Sequence, residues 1–507
     1  VNSNGATGNT LVQTLNAITL ATNDDTNPVL SSTNGNVTVK TFTGETASGG
    51  YALSITGDIK AGKAIDLETN SGTLGYTGDA SAATGVTLKS AAVGGVITVS
   101  GSLATNGTTN TDNPILVQTN GAAIKLSQTT AGDAGQNVLS TAQGAATVNA
   151  AGGAINIQGN ADVKGALEVT TTTGKITVGG ESTPYTMSGG SSTNIHTTTG
   201  AIEINGVATS SGDTTVETTG AGGTITVKGK VASTGLNTGD DVLVQTNGSA
   251  INLSQATATA TIEKDQVIST SGGAATVNAA GAGDINIQGN ADVKGALKVN
   301  TTTGAITVGT SSQKYTVKGA TTDISSSNGG KVTVYGTAGS DTNTTIKTSG
   351  DIDIHGVVST TAESENKDIL IETTGGNITL NPEQGSDYVI NSVGGATITN
   401  SYNGDATDSK GNITLNGKVQ AVDAVSISAT NGDITVDDVA SSGSTVAIET
   451  TTGNITLDGT GDLFRRFEQL RNELEEMGMF APEYKSPIPK YAMKVGIVTA
   501  STGAAIR

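Results

Sequence analysis

Asn412-Ile413-Thr414-Leu415 returns as Asp433-Ile434-Thr435-Val436 and again as Asn454-Ile455-Thr456-Leu457, each first aliphatic 21 positions after the last. Earlier copies are Asn36-Val37-Thr38-Val39, Lys175-Ile176-Thr177-Val178, Thr224-Ile225-Thr226-Val227, Ala305-Ile306-Thr307-Val308 and Asn377-Ile378-Thr379-Leu380. Ile155 to Ile176 is 21 residues, Ile176 to Ile202 is 26, and Ile202 to Ile225 is 23. Eighteen clear copies precede residue 460, so one unit takes about 25 residues. Self-similarity at such a period is the mark of a repeat architecture.

Within a unit the aliphatics alternate with polar residues, a period of two that puts Ile and Val on one face of a strand and Thr on the other. β-branched residues suit that half-buried surface. A second strand precedes many copies, as in Thr214–Thr218 before Ile225 and Val446–Thr450 before Ile455. Glycines such as Gly174 and Gly453 end the intervening turns and are expected to supply positive φ at tight corners. Two or three short strands per unit, joined by glycine corners, describe one coil of a parallel β-helix. About 18–20 coils at ~4.8 Å each predict a rod of about 90 Å over residues 1–460. The aligned Thr177, Thr226, Thr307, Thr379, Thr414, Thr435 and Thr456 should then form outward ladders.

A longer duplication lies above the coil period. Leu116–Gly121 returns as Leu243–Gly248, an offset of 127, and Ile155–Leu167 returns as Ile285–Leu297, an offset of 130. The two blocks, 113–185 and 240–318, differ in length near Ala258–Asp265. Coils were copied whole while a turn changed length.

Composition agrees with many small stacked cores and excludes several alternatives. Of 507 residues, 70 are Gly and 86 are Thr, whereas aromatics are 3% and Trp and Cys are absent. Thirteen Phe and Tyr cannot anchor large globular cores. A narrow interior filled by Ile, Val and Leu leaves aromatics unnecessary and without room. Seven Pro and no Gly-X-Y period exclude collagen. The net charge of −19 repels phosphate backbones, and no nucleic-acid partner is expected. Without Cys there are no disulfides or thiolate metal sites. No apolar run reaches the ~20 residues of a transmembrane helix. The chain opens at Val1 without a signal peptide and reads as processed or excised, which points to export.

The stretch Ser426-Ile427-Ser428-Ala429-Thr430-Asn431-Gly432-Asp433-Ile434-Thr435-Val436, with Val446–Thr450 and Gly453–Leu457, resembles the filamentous-haemagglutinin-type repeats of large bacterial secreted adhesins. The resemblance extends over residues 1–460. It implies a right-handed β-helix placed on, or released from, a bacterial cell surface.

The rules change after Gly459. All four Arg, three of four Phe and three of four Met lie in residues 461–507. Asp462–Met477 reads as an amphipathic helix closed by Gly478, with Leu463, Phe464, Phe467, Leu470, Leu474 and Met477 on one face. Pro482, Pro487 and Pro489 impose an extended linker, and Val495–Thr499 reads as a buried strand. Phe467-Glu468-Gln469-Leu470, Gly478-Met479-Phe480, Pro487-Ile488-Pro489-Lys490, Gly496-Ile497-Val498-Thr499 and Thr502–Arg507 resemble the large subunit of exonuclease VII, a bacterial single-strand DNA nuclease. In that family the stretch leads from a nucleic-acid-binding OB domain towards the catalytic domain. No OB-like segment precedes it here, and no catalytic residue is carried over.

No catalytic, cofactor-binding or metal-binding residue is assigned. His196 and His355 stand 159 residues apart without a second ligand at metal spacing, and both are expected at the surface. The pairs Asp24-Asp25, Asp240-Asp241 and Asp437-Asp438 could offer Ca²⁺ a corner but lack a calcium-roll period. Polysaccharide lyases and glycosidases on β-helices need clustered carboxylates, basic groups and aromatic platforms. Residues 1–460 hold no Arg, no Trp and one Phe, so no enzyme is expected. The function expected is an extracellular structural solenoid that associates with itself, end to end or side by side, as a filament or surface layer. An adhesin shaft contacting a host or neighbouring cell is the second expectation. An ice-binding protein ranks lower because Lys125, Asn156, Glu203, Asp353 and Asp66 interrupt any uniform Thr face. A nuclease fragment ranks lower still.

Overall fold

The computed structural model describes residues 1–457 except 6, 23–26, 43–50, 71, 109–112, 130–135, 181, 256–265, 362–367, 384–385, 406–407 and 440–443, together with Leu470, Arg471, Leu474 and Met477. The chain divides into two compact units, Val1–Thr456 and Leu457–Arg507. In the second unit Leu470, Arg471 and Leu474 are helical. The rest of the expected Asp462–Met477 helix, and the expected strand at Val495–Thr499, lie outside the described residues, as do Asp24-Asp25 and the variable turn 258–265.

The first unit is an all-β solenoid of parallel strands, three per coil. One ladder of eighteen strands runs from Thr10–Thr14 to Val446–Thr450. A second ladder runs from Ile18–Ala21 to Ile434–Val439, and there the Ile434 N–H donates onward to Asn454 O at 2.8 Å. The third opens with Asn2–Ser3 paired to Leu30–Ser32. The second and third ladders form one 30-stranded sheet. They merge wherever a single nine-residue strand serves both: Ile202–Ser210, Ile225–Ser233, Val332–Ser340, Ile352–Thr360 and Ile413–Ala421. Seventeen steps of ~4.8 Å give the eighteen-strand ladder a length of about 80 Å.

Register explains why the repeat keeps its pattern while its length drifts. Ile155, Ile176, Ile202, Ile225 and Ile251 are successive partners although their spacings differ. Turns absorb every insertion, because a one-residue slip within a strand would turn the aliphatic row outward. A continuous apolar cluster runs from Ile18 to Val436. Each fully buried Val, Leu or Ile contributes about 1.5–3 kcal/mol. No single coil could bury that row alone.

Two expectations need correction. The interior does admit an aromatic ring: Tyr76 is 1% exposed, in line with Ile55 and Val99. The next inward positions of its own coil are Ala80 and Ala82, whose small side chains leave the volume a ring requires. The glycines ending Thr-Thr-Gly turns have no positive φ. A Cβ at Gly174 would lie 2.0 Å from Gly153 O, and at Gly453 1.9 Å from Gly432 O. Those glycines are required by backbone touching backbone between coils. Positive φ falls on other glycines, at the corner between the second and third ladders, as at Gly57, Gly78 and Gly101 (+118°, +135° and +143°), and equally between the first and second, as at Gly121 and Gly329 (+84° and +95°).

Candidate functional site

The strand pattern places a third inward residue at the end of each first-ladder strand, and it is usually Thr or Ser. Thr41, Thr69, Thr218 and Thr373 are at most 1% exposed. Their hydroxyls cannot face water, so they bond turn carbonyls and one another. Thr41 Oγ1 donates to Thr69 Oγ1 at 2.8 Å, and Thr218 Oγ1 to Gly223 O at 2.9 Å. Others reach the preceding coil: Thr171 to Gly153 O (2.8 Å), Ser326 to Gly304 O (3.0 Å), Thr373 to Gly350 O (2.6 Å) and Thr450 to Gly432 O (2.9 Å). Asn400 takes the same place with its amide, Nδ2 donating to Gly376 O at 2.9 Å. This internal polar seam ties coil to coil. The sequence reading, which put threonine on the outer face, missed it, although strand parity sets Val37, Val39 and Thr41 on one face.

The Gly-Asx-Ile turns form a second seam. The Asn377 N–H donates to Asp351 Oδ1 (2.8 Å), Asn412 N–H to Asn377 Oδ1 (3.0 Å), Asp433 N–H to Asn412 Oδ1 (2.8 Å) and Asn454 N–H to Asp433 Oδ1 (2.8 Å). Each short Asx side chain accepts the amide of the next coil, satisfying a backbone donor that a loop leaves open.

Outward rows carry the chemistry that another molecule would meet. The expected threonine ladder exists as a row with gaps. Thr379, Thr414 and Thr435 are successive partners, and Thr307 pairs with Thr333. Thr177 instead lies between Asn156 and Glu203, and Thr226 between Glu203 and Asn252. On the first ladder an amide row runs through Gln245 Nε2 to Glu217 Oε1 (2.9 Å), Asn278 Nδ2 to Gln245 Oε1 (3.0 Å) and Asn300 Nδ2 to Asn278 Oδ1 (2.9 Å).

Charges pair along the same rows. Lys40 Nζ sits 2.8 Å from Asp66 and 3.0 Å from Glu68, and those carboxylates, Asp66 first, hold its ammonium above the ordinary lysine value. Lys175 contacts Glu203 at 2.6 Å, with Lys228 at 3.7 Å on the other side, and Lys175 chiefly keeps the Glu203 carboxyl below its usual range. Lys318, 2.7 Å from Asp341, does the same to that carboxyl. Pairs this exposed are each worth no more than about 1 kcal/mol. Their regularity fixes side-chain positions on the face.

The two histidines stay apart, His196 on the first ladder and His355 on the second. His355 is more than an exposed side chain: its ring stacks on Tyr335 of the preceding coil, centroids 4.8 Å apart, and its Nε2 lies 3.1 Å from Asp353 Oδ1. Sequence spacing gave no sign of this contact, because 20 residues separate rings that register places one rung apart. Asp240 and Asp241 serve the backbone, Asp240 Oδ2 accepting Asn237 N–H and Asp241 Oδ1 accepting Ala274 N–H. Among the described residues no group of three or more His, Cys, Asp or Glu is placed to hold a metal ion. A shallow depression beside Ser31, Lys60, Ser81 and Asn106 presents one charged group. No helix among the described residues is long and apolar enough to cross a membrane.

No protein-family model matches the chain, and no solved structure matches it. Curated relatives match only a short piece. The large subunit of exodeoxyribonuclease 7 from Oceanobacillus iheyensis is 52% identical over 49 residues, 10% of this chain and 11% of that protein. The corresponding subunits of Clostridium tetani (51%) and Clostridium beijerinckii (53%) match over the same length, 12% of each. The chain thus spans about a tenth of the curated relatives it matches. The length is comparable with the tail after the repeats.

Proposed function

We propose that residues 1–460 are the structural shaft of an extracellular protein of a bacterial cell surface, whose copies associate with one another as a filament or surface layer. One observation carries the reading: parallel register is continuous through eighteen strands, with side-chain seams reinforcing it inside and at the corner. Such a body resists bending and separation along its axis, which suits a mechanical role. The resemblance to haemagglutinin-type repeats points to the same setting. The reading includes no catalytic centre, no cofactor, no resident metal and no nucleic-acid partner, and it gives the nuclease-like tail no nuclease activity. Electron microscopy of the native material tests it. Ordered polymers or sheets support self-association, and isolated rods at high protein concentration overturn it.

An adhesin shaft is the second reading, favoured by the outward row Thr98, Lys125, Asn156, Thr177, Glu203, which changes chemistry at every coil. A face that packs on copies of itself is better served by repetition. Single whiskers bound to host or neighbouring cells through one end would favour this reading.

A further inference from the structure

We propose that Asn328 is a covalent modification site, converting without an enzyme to aspartate and isoaspartate through a cyclic imide formed with Gly329. The reaction needs an unoccupied backbone amide after an asparagine, and freedom to bring that nitrogen to the side-chain carbonyl carbon. Most Asn-Gly pairs here lack one or the other. Asn205-Gly206 lies inside a nine-residue strand, where Gly206 is paired with Tyr185 on one side and Gly229 on the other. Asn205 is 3% exposed and its Nδ2 donates to Gly179 O at 3.3 Å, while Asn416 Nδ2 donates to Asn381 Oδ1 at 2.7 Å. In Asn34-Gly35 the glycine N–H is held by Ser32 Oγ at 2.9 Å.

Asn328-Gly329 carries neither restraint. Both residues are exposed in the turn between Thr322–Ser326 and Val332–Ser340. Gly329 adopts φ +95°, and a Cβ there would meet nothing within 4 Å. The Asn328 backbone N–H is anchored to Thr302 O at 2.6 Å, whereas its carboxamide and the Gly329 N–H make no hydrogen bond with any described residue. Asn120-Gly121 and Asn247-Gly248 share the positive φ, +84° and +86°. Their carboxamides are tied to the preceding coil, Asn120 Nδ2 to Ala91 O at 3.2 Å and Asn247 Nδ2 to Thr219 O at 3.0 Å, so they react more slowly.

In the first step the Gly329 nitrogen gives its proton to solvent base and bonds to Asn328 Cγ, and the side-chain nitrogen leaves as ammonia. Water then opens the imide. Cleavage of the new Cγ–N bond leaves aspartate, and cleavage of the original peptide C–N bond leaves isoaspartate, with the main chain running through Cβ. Either product adds a negative charge to a chain already at −19. The extra backbone atom of isoaspartate falls in the turn, outside the pairing of Val332 with Ile306 and Ile352, so the coil keeps its register. The charge therefore accumulates on an intact rod.

The test is incubation of the full chain at mildly alkaline pH, with peptide mass mapping and isoaspartyl methyltransferase labelling at intervals. A sample held unfolded in urea is the reference. Of these pairs Asn328 should convert first in the folded chain, Asn120, Asn247 and Asn416 later, and Asn205 only in the unfolded sample. Asn328→Gln should abolish the earliest product with unchanged circular dichroism. Conversion of Asn205 or Asn416 as fast as Asn328 in folded protein overturns the proposal. So does an Asn328 that stays an amide while the unfolded reference converts.

Discussion

Gly101→Ala should open the solenoid locally, and the structure sets the scale. Gly101 has φ +143°, and an added Cβ would stand 1.9 Å from Gly78 O and 2.7 Å from Gly78 C. The obstacle is backbone, so only a widening of the coil spacing relieves it. That widening weakens Gly78 N–H to Ser100 O (3.0 Å) and Ala80 N–H to Ser102 O (2.8 Å), the bonds that cross the same interface. The backbone conformation costs about 1–3 kcal/mol for a residue with a side chain, and two hydrogen bonds add ~0.5–1.5 kcal/mol each. A total of about 2–6 kcal/mol follows. Gly121→Ala is the control, because Gly121 also has positive φ (+84°) but nothing lies within 4 Å of its Cβ. It should cost only the conformational part, about 1–2 kcal/mol. Because coils contact only their neighbours, the loss should appear in the coils flanking Gly101 and fade beyond them. Hydrogen–deuterium exchange by peptide should show protection there about 5- to 150-fold lower than in the control, the worth of the two weakened bonds. Equal exchange in the two variants, or native protection around Ala at 101, would refute the idea that inter-coil contact fixes this glycine.

Thr373→Val keeps the side-chain shape but leaves Gly350 O and Gly376 N–H without their hydroxyl partner, and should cost about 1–3 kcal/mol, read as faster exchange in the coil around it. Tyr76→Phe should be neutral or stabilising in thermal melts followed by circular dichroism, because the buried Tyr76 hydroxyl has no hydrogen-bond partner. Burial also pushes its ionisation far up, so no ultraviolet phenolate signal from Tyr76 should appear until the protein unfolds in alkali. Glu203 is held below its unfolded value (~4.3) by Lys175. Its contribution is therefore complete above that pH and lost as pH falls through the lower folded value. Acid titration of exchange in that coil should show a step that Glu203→Gln removes.

The solenoid was legible because its evidence is local: alternation in Ile176-Thr177-Val178 assigns inside and outside without knowledge of any other coil. The break after Gly459 was equally plain, since Arg, Phe and Met crowd one side of it. The sequence reading put threonine outside and so missed the buried Thr41 and Thr373, although the same alternation carried one step past Val39 and Ile371 turns them inward. What the sequence could not place was anything depending on which residue lies one rung away. Spacings between successive partners vary with turn length, from 20 between Val332 and Ile352 to 37 between Val231 and Ile268. Register is settled by inter-coil hydrogen bonds formed only when the chain winds. For that reason the stacking of Tyr335 on His355, and the need of Gly174 for the carbonyl of Gly153 rather than for its own φ, emerge only in the folded chain. Strand identity and facing come from alternation along the chain. Neighbours across the coils come from the lengths of the turns and the packing they allow, and only the tertiary structure adds those up.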